Sequence, residues 1–143
     1  MTPLDRTPGS APTPPTLRVV VVEDLAPLRE LLRRTLEQSG AASVVAEAGD
    51  GHSGLAAVSA HQPDIVVTDL RMPVLDGFEL ARRLRADHPD VGIVMLTGAL
   101  EPDVLEAAFD AGVHAFVEKR NGLAQVVPIL RDVADQLRRS TPA

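Results

Sequence analysis

Three carboxylates, a hydroxyl and an ammonium stand where short apolar runs of this chain end. Glu23 and Asp24 follow Val19-Val20-Val21-Val22, Asp69 follows Ile65-Val66-Val67-Thr68, Thr97 follows a run closing on Leu96, and Lys119 follows Phe116-Val117-Glu118. Such runs read as buried strands, and the rim at the carboxyl ends of parallel strands is where ligands bind. If the first two of these strands are neighbours, three acids meet at one edge. A close carboxylate pair repels by roughly 4 kcal/mol at about 4 Å and an effective dielectric near 20, so the cluster calls for a cation. Oxygen ligands of this type suit Mg2+, which keeps several waters and usually also takes a phosphate oxygen. With a carboxylate nucleophile, a metal, a lysine and a hydroxyl, the site can accept a phosphoryl group, because that transfer needs in-line positioning and neutralisation of the equatorial oxygens. Asp69 is the expected nucleophile.

The elements that must place these groups alternate along the chain. A first strand over 17–22 leads to a helix over 27–38, with Leu28, Leu31, Leu32 and Leu36 at helical spacing and Gly40 as its stop. A strand over 43–48 follows, then a helix capped by Asp50 that runs to about residue 60, and then the strand that ends on Asp69. Asp76-Gly77-Phe78-Glu79 resembles a capping box and opens a third helix ending near Ala86; the fourth strand covers 91–96. Pro102 suits the first turn of a fourth helix, expected to bury Leu105 and Phe109 and to stop at Gly112, before a fifth strand over 113–117. The last helix carries Val126 or Val127, Leu130, Val133, Ala134 and Leu137; Pro128 cannot sit deep inside it, so its regular part begins near 123–125.

Five strand-helix units with non-alternating strands specify a parallel sheet covered on both faces. The expected fold class is therefore α/β, a flavodoxin-like (βα)5 doubly wound sheet in the order 2-1-3-4-5. That order brings the ends of strands 1, 3, 4 and 5 to one rim, where Glu23, Asp24, Asp69, Thr97 and Lys119 all lie. Residues 1–16 hold five prolines and little to bury, and read as a disordered arm; 17–139 form the domain and 140–143 a short tail.

At 143 residues and 45% hydrophobic content, one domain with a sizeable core is expected. There is no cysteine, which excludes disulfides and thiolate metal sites, and no run approaches the roughly 20 apolar residues needed to span a bilayer. A soluble, cytoplasmic protein is the simplest expectation. The net charge of -6 argues against non-specific attraction to nucleic acid or anionic lipid, leaving a protein partner or a small ligand. Of 14 basic residues, only Lys119 is a lysine. His52, His61, His88 and His114 show no ligand spacing.

Val-Val-Glu23-Asp24, Asp69-Leu-Arg-Met-Pro73, Asp76-Gly77, Thr97-Gly98, Ala111-Gly112 and Phe116-Val-Glu-Lys119 occur in an order and at strand ends that resemble the receiver domains of bacterial two-component response regulators. The resemblance covers Leu17 to about Arg139. It implies that Asp69 is phosphorylated by a histidine kinase or phosphotransfer protein, or by a small donor such as acetyl phosphate. It further implies that Asp24 binds Mg2+ directly, Glu23 does so through water, and the backbone carbonyl of Arg71 completes the protein ligands. Thr97 would turn to the phosphoryl oxygen, Lys119 would pair with it, and Phe116 would change rotamer. The switched face, made by the fourth helix, fifth strand and fifth helix, would meet a downstream protein. Asp103, Glu106 and Asp110 on the fourth helix could meet Arg131, Asp135 and Arg138 on the fifth across a homodimer, although a solvated face explains the same spacing. Arg71 and Ala99 occupy positions that face the attacking water in this family, and Arg71 is expected to alter the lifetime of the phosphoryl group. Arg120 stands where many receivers have a proline, so the loop after Lys119 is expected to take a different path.

Three other readings compete with a free-standing receiver. The chain could be the receiver piece of a longer DNA-binding regulator, whose output domain would follow the last helix, where only 140–143 remain. It could be a phosphatase of the haloacid dehalogenase type, though that family wants a second acid where Arg71 stands. It could also be a receiver-like module that is never phosphorylated. Dinucleotide binding has no Gly-x-Gly-x-x-Gly to support it.

Overall fold

Unbroken runs of β-branched and aliphatic residues place three strands in the middle of the sheet. The computed structural model of the chain describes residues 16–72, 74–98 and 101–140; residues 1–15 of the arm, Pro73, Ala99, Leu100 and the last three residues lie outside the described residues. In β1 (Leu17–Val22), β3 (Ile65–Asp69) and β4 (Gly92–Thr97) every residue but Arg18 is buried. β2 (Ala42–Ala48) and β5 (Ala115–Glu118) are only partly buried, as edges of a sheet must be. The order is β2-β1-β3-β4-β5 with every pairing parallel. The doubly wound fold expected from the alternation is the one observed.

Side chains alternate across the central strands, and two cores result. Val20, Val22, Val66, Ile93 and Met95 face α2 (Gly51–His61), α3 (Gly77–Asp87) and α4 (Pro102–Ala111). Val19, Val21, Val67, Val94 and Leu96 face α1 (Ala26–Gln38) and α5 (Val126–Ser140). A single 3-10 turn over Leu123–Gln125 precedes α5, which places Pro128 in the helix's first turn where its missing N–H removes no intrahelical bond. Asp50 caps α2 as expected, accepting from the Ser53 backbone N–H.

Three local expectations are corrected. Phe109 is 54% exposed rather than buried. α4 lies on the sheet through Ala108 and Ala111, whose small side chains bring the helix close and leave Phe109 at its flank, edge-to-face on Phe116 with ring centroids 5.1 Å apart. Leu105, expected to be buried, is only partly so; on α1 the buried stripe narrows to Leu32 and Leu36, with Leu31 52% exposed. β5 starts two residues later than expected, since Val113 donates back to the Ala108 carbonyl and closes α4 beyond Gly112, whose φ is +111.

His114 takes over where β5 is not yet paired. Its backbone N–H donates to the Ile93 carbonyl, and its Nδ1 accepts from the Ile93 backbone N–H at 3.0 Å. That bond requires an unprotonated Nδ1, so the neutral ring carries its proton on Nε2. Burial, and secondarily the positive charge of Arg85, hold the imidazole below its ordinary pKa. The unfolded chain therefore binds the proton more readily. Stability from this group is complete above the ordinary value near 6.5 and falls as pH drops toward the folded value. Replacing His114 with Asn keeps an acceptor that does not titrate. In thermal melts between about pH 7 and pH 5, the wild type should lose more stability than His114→Asn; equal losses would show that the ring is not held neutral.

Candidate functional site

Parallel pairing carries the acidic strand ends to one rim. Val22 pairs with Thr68 and Asp69 with Leu96, so the residues that follow β1 and close β3 lie side by side, with Thr97 opposite Glu118 one strand further on. One carboxylate oxygen from each of Glu23, Asp24 and Asp69 lies within 4.8 Å of the others. Lys119 Nζ stands 3.0 Å from Asp69 Oδ1 and 3.9 Å from Glu23 Oε1. Glu23, Asp69 and Thr97 are buried, whereas Asp24 is exposed.

Glu23 is fixed at almost every polar group. Its N–H donates to the Ala48 carbonyl at 2.9 Å, and its Oε2 accepts from the Leu25 backbone N–H at 3.1 Å. Its carbonyl accepts from Arg29 Nη1 at 2.7 Å. Oε1 alone is buried without a hydrogen-bond partner, the ammonium at 3.9 Å being an ion pair too long to count as one. Burial pushes the carboxyl up to about 7; the negative charge of Asp69 adds to the rise, while the Leu25 N–H and Lys119 oppose it. A buried acid with one orphaned oxygen, facing two more carboxylates, is what a hard cation would satisfy. The residues present fit Mg2+.

Around Asp69 opens a cleft of about 340 Å³, lined among others by Arg71, Thr97, Glu101 and Lys119. Arg71 also lines the adjoining cleft of about 480 Å³ between the loop after β3 and α4, where Phe78 and Val104 form the apolar wall. Thus Glu23, Asp24, Asp69, Thr97 and Lys119 converge as expected and Arg71 stands at their edge. Phe116 lies aside from the cleft, under Phe109. Ala99 lies outside the described residues.

The loop from β3 to α3 is held from both ends. Asp76 accepts from the Glu79 N–H at 2.9 Å, and Gly77 N–H donates to the Leu70 carbonyl at 2.8 Å. Only half of the expected capping box forms: the Glu79 carboxylate turns to Arg82 at 2.9 Å and Arg83 at 3.2 Å, one turn further along α3. Val74, 86% exposed, has φ +71, an unusual backbone for a β-branched residue. After β5 the chain makes a 3-10 turn over Lys119–Asn121, with no cis peptide among the described residues, and Arg120 points away to pair with Glu118 at 3.1 Å. Lys119 reaches Asp69 without a following proline.

Sequence reasoning missed Arg29 and Glu101. Neither belongs to a motif, and only the third dimension brings them to the site.

This geometry has close relatives. Response regulator MprA of Mycolicibacterium vanbaalenii is 36% identical over 126 residues, which are 88% of this chain and 52% of that protein. The transcriptional regulatory protein PdtaR of Mycobacterium tuberculosis is 33% identical, covering 87% of this chain and 60% of its own length. The chain therefore spans only part of the length of these curated relatives. Among solved structures, the signal receiver domain of NarL from Mycobacterium tuberculosis superposes with a TM-score of 0.81 at 33% identity, covering 85% of this chain and 98% of that one. A LuxR-family two-component response regulator from Aurantimonas sp. SI85-9A1 gives 0.81 at 30% identity, covering 85% and 87%. The family model of the response regulator receiver domain matches residues 19–131, and the chain belongs to that family as a two-component receiver domain.

Proposed function

We propose that Asp69 is the phospho-acceptor and that the domain is switched by a histidine kinase or phosphotransfer protein. The observation that carries this reading is the cluster itself: three carboxylates within 4.8 Å, one buried oxygen left unpartnered, and Lys119 Nζ 3.0 Å from Asp69 Oδ1. Asp24 and Asp69 would hold Mg2+ directly, Glu23 through water, with the carbonyl of Arg71 as the remaining protein ligand. The cation supplies charge neutralisation at the phosphoryl oxygens. An Asp69 carboxylate oxygen forms the new bond to phosphorus as the bond to the donor's nitrogen or oxygen breaks. Lys119 moves from the carboxylate to an equatorial oxygen, and the Thr97 hydroxyl closes on another.

The change is then read out elsewhere. Thr97 leaves its ground-state position, Phe116 follows, and the face of α4, β5 and α5 presents a different surface to a downstream protein. Phe109, exposed against Phe116, sits where that rearrangement would be felt. On the same face Arg138 pairs with Asp135 within α5, which satisfies two of the charges that a homodimer could use. The domain acts as a phospho-acceptor switch, with its own phosphorylation and hydrolysis as its chemistry. A cytoplasmic site of action accords with this role; among the described residues no helix is long and apolar enough to cross a membrane.

A second reading is favoured by the relatives: several are transcriptional regulators of which this chain covers 58% to 60%, so the receiver could govern an attached DNA-binding output.

The test is intact mass after incubation with acetyl phosphate and Mg2+. One phosphoryl adduct is expected, absent without metal and absent in Asp69→Asn. An adduct that persists in that variant would place the acceptor elsewhere.

A further inference from the structure

Glu23 and Asp24 are consecutive, so a single peptide unit joins the two acids, and its plane sets the directions in which both side chains project. The carbonyl of that unit is Glu23 O, and it accepts from Arg29 Nη1 at 2.7 Å. The guanidinium is itself braced from β2, with Nε 3.5 Å from Glu47 Oε1. Glu47 also receives Arg33 at 3.4 Å, and Arg33 in turn holds Glu37 at 3.1 Å. α1, the edge strand and the acidic rim are thereby tied through one side chain.

We infer that Arg29 is a positioning residue for the metal-binding acids: by holding the Glu23–Asp24 peptide in one orientation, it presets the pair for a divalent cation. The inference rests on the reading that these acids hold such a cation. Every other polar group of Glu23 that could fix its orientation is tied to backbone, namely N–H to Ala48, and Oε2 to Leu25. The carbonyl is the one anchored by a side chain, and a charge-assisted bond is stronger than a neutral one. Only a fork can donate to that carbonyl while also reaching Glu47; a lysine ammonium is a single point charge.

Arg29 also brings a positive charge toward the rim, and this effect opposes the first. If charge alone mattered, removing Arg29 would tighten cation binding. If the residue merely supported the fold, removing it would lower the melting temperature and leave cation affinity unchanged. Preorganisation predicts weaker binding, and supports of this kind typically matter by tenfold or more in metal affinity.

The experiment is a backbone-amide NMR titration of the whole chain with MgCl2, run on wild type, Arg29→Lys and Arg29→Met, with melting temperatures measured in EDTA. Arg29→Met is expected to weaken Mg2+ binding about tenfold, and Arg29→Lys by a smaller factor of roughly two to five. Should Met at this position prevent folding, the lysine variant alone carries the test. Either folded variant binding Mg2+ as tightly as wild type, or more tightly, overturns the inference. A wild type whose amides near Glu23 and Asp69 do not respond saturably to Mg2+ would instead overturn the metal reading beneath it.

Discussion

Gly77→Ala is expected to lower the unfolding free energy by about 3 kcal/mol, the upper range for forcing atoms into a packed core. A Cβ on Gly77 would fall 2.5 Å from the Asp69 carbonyl oxygen, 2.9 Å from Leu70 Cα and 3.0 Å from Met95 Cε. Two of these three are backbone atoms at the end of β3, which cannot rotate away. The expected sign is informative because ordinary helix propensity predicts the reverse: alanine exceeds glycine by about 0.5–1 kcal/mol in a helix, and Gly77 is the first residue of α3. Loss of stability therefore measures the close approach. Against a total of roughly 5–15 kcal/mol it is large. Urea unfolding should show a lower midpoint with an unchanged m-value. A loss under about 1 kcal/mol would mean that the loop yields, and then Asp69, whose carbonyl is the atom struck, must have moved with it.

The fold was legible because the strands and helices obey different periods. Runs such as Val19-Val20-Val21-Val22 and Ile65-Val66-Val67 have no polar alternation, and buried strands of that kind joined by amphipathic helices leave one economical topology. The site was legible for the same reason, since chemistry-bearing residues at strand ends inherit their positions from the sheet. What was not legible depends on the depth of packing. Helical spacing shows that Leu31 and Leu32, or Leu105 and Phe109, share a side of a helix, but the width of the buried stripe is set by what the helix meets. α4 approaches through alanines, so the larger ring is left out. Glu23 and Asp24 look alike in sequence, yet the chain bends just beyond β1, which leaves Glu23 buried and Asp24 exposed while both keep an oxygen within 4.8 Å of Asp69. Arg29 could not be found by pattern, because its contact is to a backbone carbonyl, which every residue carries.

The charge balance at the rim explains why a single lysine matters in a chain otherwise supplied with arginine. Three carboxylates meet there, and the Lys119 ammonium pairs with two of them, Glu23 and Asp69. Lys119 partly offsets their repulsion, and burial leaves Glu23 with a carboxyl raised to about 7. A dication would compete with Lys119 for the same oxygens. On the proposed reading, phosphorylation would exchange the carboxylate of Asp69 for a more negative group and give the lysine a new partner. Lysine suits this exchange better than arginine: a compact ammonium on a flexible stem can shift between acceptors, whereas a planar fork favours one fixed carboxylate.

Lys119→Met should accordingly separate two properties that usually fall together. Removing an ammonium that pairs with the Asp69 and Glu23 oxygens a dication would use should let Mg2+ bind more tightly, by about tenfold or more, since a unit charge and a dication a few ångströms apart repel by more than about 1 kcal/mol even in water. Transfer should nonetheless slow, because the equatorial phosphoryl oxygens lose a donor placed where charge develops, and the loss of one such group typically slows reaction by about 10²–10³. The Mg2+ titration and the initial rate of adduct formation from acetyl phosphate at saturating Mg2+ read these effects independently. Tighter metal with slower transfer identifies Lys119 as a phosphoryl ligand rather than a structural counter-ion. An unchanged rate at saturating metal would reduce it to a counter-ion, and leave Thr97 and the cation to neutralise the phosphoryl oxygens between them.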